Sequence, residues 1–83
     1  MSTAREVVEV VARALVDDPE AVRVTETDHR GTAVIELFVA PDDLGRVIGR
    51  QGRTASALRT LVAAAAEHAG VKATLEIREP SGR

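Results

Sequence analysis

The sequence predicts an α+β domain in which helices pack on one face of a small three-stranded mixed sheet. Two kinds of observation predict it. Apolar residues recur first at helical spacing, then at a spacing of two through Val39, then at helical spacing again, and last at two from Ala73 to Ile77. Proline and glycine mark the changes, at Pro19, Gly31, Pro41, Gly49 and Gly70. The chain has 83 residues, enough for one domain with one core and no second domain.

The first helix opens at Thr3, where Glu6 three residues later completes a capping-box pattern. Val7, Val8, Val11, Ala12 and Leu15 then share one helical face. Asp17-Asp18-Pro19 stops it, because proline cannot continue the ladder and disfavours helical geometry at Asp18. From about Glu20 the period is two, with Val22, Val24 and Glu26 on one side and Ala21, Arg23 and Thr25 on the other. After a turn at Asp28-His29-Arg30-Gly31, Ile35, Leu37 and Val39 point one way and Val34, Glu36 and Phe38 the other, completing an antiparallel hairpin. Val34 and Phe38 make a candidate interface patch.

Pro41-Asp42-Asp43 reads as a helix start, with its carboxylates expected to cap the positive end of the dipole. Leu44, Val47 and Ile48 form the apolar side of this short helix, and Gly49 ends it. A further helix begins near Arg53 or Thr54, with Leu58, Leu61, Val62, Ala65 and Ala69 as its expected buried stripe and Gly70 as its stop. Ala73, Leu75 and Ile77 alternate as the last strand. The order is α-β-β-α-α-β. The second and third strands, joined by a two-helix crossover, are expected to be parallel neighbours, with the first antiparallel on the outer side of the second. The domain is expected to span 2–79, with 80–83 as a disordered tail.

Composition narrows the function. There is no cysteine, so disulfides and thiolate metal sites are excluded, and His29 and His68 lack ligand spacing. No metal or other cofactor is expected. No signal peptide is legible, and the longest uncharged stretch, Thr60 to Ala66, is too short to span a bilayer, so a cytoplasmic protein is expected. No Ser/His/Asp or Cys/His set can be assembled, which argues against an enzyme. The net charge is −2, yet Leu44 to Ala66 holds Arg46, Arg50, Arg53 and Arg59 and no acid. All thirteen Asp/Glu lie elsewhere, so positive charge is concentrated around the glycines.

Those glycines are the informative feature. A bare G-x-x-G is common by chance, but here Gly49-Arg50-Gln51-Gly52 is the whole connection between two expected helices. Gly49 can take positive φ, and glycine leaves backbone N–H groups open to an anion. The next helix presents its N-terminal amides at the same place. Arg50 and Gln51 project from the turn, and Arg46 and Arg53 flank it. The spacing fits neither a nucleotide P-loop nor a G-x-G-x-x-G fingerprint. A helix-turn-helix DNA reader fits poorly, since the second helix is mainly Ala, Leu and Ser after its first turn.

The run Val47-Ile48-Gly49-Arg50-Gln51-Gly52-Arg53-Thr54 closely resembles the V-I-G-x-x-G signature of KH domains, and the element order resembles the type II, bacterial form of that fold. The short length, Asp43-Leu44-Gly45-Arg46 and Leu58-Arg59-Thr60-Leu61-Val62 are similar to the stand-alone bacterial KH family called KhpA. The resemblance implies a cleft that takes about four nucleotides of single-stranded RNA. Gly49, Arg50, Gln51 and Gly52 would clamp the backbone, Arg46 and Arg53 would flank it, and Val47 and Ile48 would line the groove. It also implies a post-transcriptional regulator or RNA chaperone, linked to cell size and division, and with Phe38 the one aromatic residue low-specificity binding is expected. Such a protein would act as a homodimer or with a larger KH-containing RNA-binding protein. The alternative is a protein-interaction adaptor that keeps the fold and acts mainly through that larger partner.

Overall fold

The computed structural model describes residues 2–80. In chain order it contains helix α1 (Thr3–Leu15), strands β1 (Arg23–His29) and β2 (Thr32–Phe38), helices α2 (Leu44–Ile48) and α3 (Arg53–His68), and strand β3 (Lys72–Arg78). The expected α-β-β-α-α-β order is present. Apart from Pro80, the tail expected over 80–83 lies outside the described residues.

Helix α1 begins one residue earlier than the capping-box pattern suggests. Ser2, not Thr3, is the N-cap, and its hydroxyl accepts from the Arg5 N–H at 3.1 Å. The same hydroxyl donates to Glu26 Oε1 at 2.7 Å, which ties the helix start to β1. Ala4, Val8 and Ala12 are the buried row; Val11 packs against it, whereas Leu15 is at the surface. Val16 leaves the helix in an extended conformation and turns back into the core.

The sheet order is β1-β2-β3, with β1 antiparallel and β3 parallel to β2, as the crossover requires. Strand β1 runs through His29, so the hairpin turn is Arg30-Gly31, both at positive φ (55° and 86°). That is the two-residue turn whose twist matches an antiparallel hairpin. Central Ile35 lies opposite Glu26 on one side and Leu75 on the other. Ile35, Leu37 and Val39 are fully buried against Val8, Val47, Leu58 and Val62. Burying each such side chain stabilises by about 1.5–3 kcal/mol. Val34 and Phe38 lie half-buried on the opposite side of the strand.

Two further expectations need correction. The buried row of α3 is Ala55, Leu58, Val62 and Ala66; Leu61 is 47% exposed, and Ala69, expected in the stripe, is an exposed residue just past the helix end. Leu61 sits one position off the i, i+3, i+4 row that alanines complete on either side. Asp43 does not cap its own helix. It is only 3% exposed, and its two oxygens accept the backbone N–H groups of Asp17 and Asp18, each at 3.1 Å. The carboxylate thus satisfies the chain as it leaves α1 and pins that segment to the start of α2.

Candidate nucleic-acid interface

The loop between α2 and α3 is short and closed by its own backbone. The Gly49 N–H donates to the Gly45 carbonyl at 2.9 Å and the Gly52 N–H to the Gly49 carbonyl at 3.1 Å. Three of its four residues have positive φ: Gly49 at 78°, Gln51 at 56° and Gly52 at 74°. For an L-residue such as Gln51 this conformation costs roughly 1–2 kcal/mol, offset by the turn on either side. A β-carbon on Gly49 would overlap the Thr54 side chain and lie 2.9 Å from the Thr54 nitrogen. At Gly52 a β-carbon would meet open space. Gly49 is therefore required for packing and conformation together, and Gly52 for conformation alone.

Helix α3 starts directly from this turn. Its N-cap is Gly52 in the left-handed region, no side chain caps it, and its first turn contains no acid. The Gly52 and Arg53 N–H groups are taken up within the turn by the Gly49 and Arg50 carbonyls, and the positive dipole end of the 16-residue helix faces the loop with no acid to neutralise it.

The flanking cations have different surroundings. The Arg50 side chain is exposed and has no hydrogen-bond or ion-pair partner among the described residues. Arg53 donates from Nη2 to Gln51 Oε1 at 2.9 Å, bracing the strained turn. Arg46 is held by acids: its Nη2 lies 2.9 Å from Asp17 Oδ2 and its Nε 3.6 Å from Asp43 Oδ1. Ile48 is 37% exposed, whereas its neighbour Val47 is fully buried. Val47 thus belongs to the core and offers no surface to a ligand; only Ile48 of that pair reaches solvent beside the loop. Sequence reasoning missed Asp17, whose link to Arg46 spans 29 positions, because no local pattern marks such a contact.

No helix among the described residues is long and apolar enough to cross a membrane, and no group of acidic or histidine residues among them could hold a metal ion. The site is a glycine-framed, uncapped helix start edged by arginine on an α-β-β-α-α-β scaffold, which defines a type II KH domain. The solved structure of an Era variant from Aquifex aeolicus shares the fold, with a TM-score of 0.63 at 19% identity over 92% of this chain and 29% of that one.

The family model described as "KhpA/KhpB, KH domain" matches residues 5–77. The protein named RNA-binding protein KhpA from Aquifex aeolicus is 49% identical over 95% of this chain and 100% of its own length. Proteins of the same name from Caldanaerobacter subterraneus subsp. tengcongensis and Halalkalibacterium halodurans are 57% and 54% identical, over 74% and 84% of this chain and 81% and 92% of their own. The chain belongs to the KhpA/KhpB KH-domain family, and these relatives are named RNA-binding proteins.

Proposed function

We propose that this chain binds single-stranded RNA, holding about four nucleotides of backbone at the Gly49–Gly52 loop. The observation that carries the reading is the uncapped, acid-free start of α3 facing a loop that has glycine at both ends and an unpartnered arginine. Arg50 supplies the free charge. Gln51 and Arg53 form the braced side of the clamp, Arg46 reaches the strand by exchanging its carboxylate partners for phosphate, and Ile48 lines the groove with Val47 supporting it from beneath.

The functional unit spans 2–79 and acts in the cytoplasm as a low-specificity regulator or chaperone of RNA. With Phe38 as the one aromatic residue, the protein has no stacking platform, which supports backbone-led binding. A site of four nucleotides is weak alone. Pairing with a second copy, or with a larger KH-containing RNA-binding protein, raises its avidity.

Titration of a labelled single-stranded 12-mer RNA at several salt concentrations, beside the same sequence as a duplex, tests this. The reading expects single-strand preference and a log–log salt slope of about −2 to −3, from three or four phosphates at roughly −0.7 each. Absence of binding at low salt contradicts it and favours an adaptor that acts through its partner.

A further inference from the structure

Arg59 is the fourth arginine of the acid-free segment, and the loop clamp leaves it unused. It lies seven residues after Gly52 on α3, about 10 Å along the axis. Its Nε donates to the Leu75 carbonyl oxygen at 3.2 Å. Strand β3 is an edge of the sheet. The Arg78 carbonyl faces inward, accepting from the Val39 N–H. Backbone groups alternate sides along a strand, so the Leu75 carbonyl faces out from the open edge. Arg59 therefore reaches from helix to edge strand and is anchored there.

That bond occupies one of the five guanidinium donors. The two terminal nitrogens have no hydrogen-bond or ion-pair partner among the described residues, and the residue is exposed. Ser56, small and exposed, is the residue between Gly52 and Arg59 on the i, i+4, i+7 row, so that row carries no bulky side chain between the loop and Arg59. Even a strand stacked at roughly 3.4 Å per nucleotide covers this distance in about three steps.

We infer that Arg59 reads a base: with Nε fixed on Leu75, its terminal nitrogens form an oriented fork for O6 and N7 of a guanine in the strand held by the Gly49–Gly52 loop. The inference rests on the RNA-clamp reading. Fork geometry matches guanine's paired acceptors, and unpaired bases expose that edge. One favoured base in a site of about four leaves binding broad.

The test measures affinity for the single-stranded RNAs r(GAAA)3 and r(A)12 with wild type, Arg59→Lys, Arg59→Ala and an Arg50→Asp, Gln51→Asp double variant, each checked for folding by circular dichroism and thermal melting. Wild type is expected to bind the guanine-containing RNA about tenfold more tightly. Arg59→Lys keeps the charge but not the fork, so it is expected to abolish that ratio while r(A)12 affinity stays within about twofold. The double variant is expected to lose both RNAs. Equal wild-type affinities, or a ratio that survives in Arg59→Lys, overturns the inference and leaves the clamp standing. Equal weakening of both RNAs by Arg59→Lys assigns the fork to phosphate and overturns base reading. A lower melting temperature in Arg59→Ala with the ratio intact makes the residue a structural anchor only. Failure of wild type to bind either RNA removes the clamp and this inference with it.

Discussion

The side chain of Thr54 fills the space that a β-carbon on Gly49 would need. A β-carbon there would lie 2.7 Å from the Thr54 Cβ, on a backbone with φ of 78°. The first turn of α3 is thus packed directly onto the first glycine of the loop, and the close approach fixes how the helix start meets any ligand at the turn.

Gly49→Ala is expected to destabilise the domain by about 3 kcal/mol, combining left-handed strain with overpacking. Gly52→Ala has the strain alone and is expected to cost about 1–2 kcal/mol. Thermal melting separates them, since about 1 kcal/mol shifts Tm by roughly 4–8 °C in a domain of this size. Equal shifts would show that Thr54 yields its place.

Asp43→Ala strips both acceptors from the Asp17 and Asp18 N–H groups. Urea denaturation is expected to show a loss of about 2–4 kcal/mol, with Asp43→Asn near half of that because one oxygen remains. A change below about 0.5 kcal/mol would mean water reaches those amides and replaces the carboxylate.

Asp17→Asn frees Arg46 from its 2.9 Å partner. The pair is exposed, so stability is expected to change by less than about 1 kcal/mol. RNA affinity at low salt is expected to rise a few-fold, and the gain to vanish as salt screens it. Unchanged affinity would remove Arg46 from the RNA contact.

Ser2→Ala is expected to cost about 1 kcal/mol through loss of the α1 cap, while Thr3→Ala is expected to be near neutral. Guanidinium unfolding of the two variants decides between the observed cap and the neighbouring one that the capping-box spacing suggested.

The elements and their order were legible because each change of period coincides with a proline or glycine, as at Pro19, Pro41 and Gly70. The errors share a physical cause. Ser2 and Thr3 both carry a hydroxyl suited to capping, and spacing alone does not choose between them. Leu61 looked more like core than Ala55 or Ala66 because hydrophobicity outweighed phase, yet the alanines complete the buried row. Asp43's partners and the Arg46–Asp17 pair join positions 25 or more residues apart, where no local rule operates. At the site, glycine spacing revealed the loop, but the burial of Val47 beside exposed Ile48 depends on how a helix of five residues is rotated against the sheet.

The measurement that bears most directly on the RNA clamp is single-stranded RNA binding by wild type and by an Arg50→Asp, Gln51→Asp double variant, at low and high salt. Circular dichroism establishes that the variant is folded. The clamp predicts that the folded variant loses most of its affinity and that wild-type binding weakens steeply with salt. Equal binding by the two proteins would contradict it and place the RNA contact elsewhere on the domain.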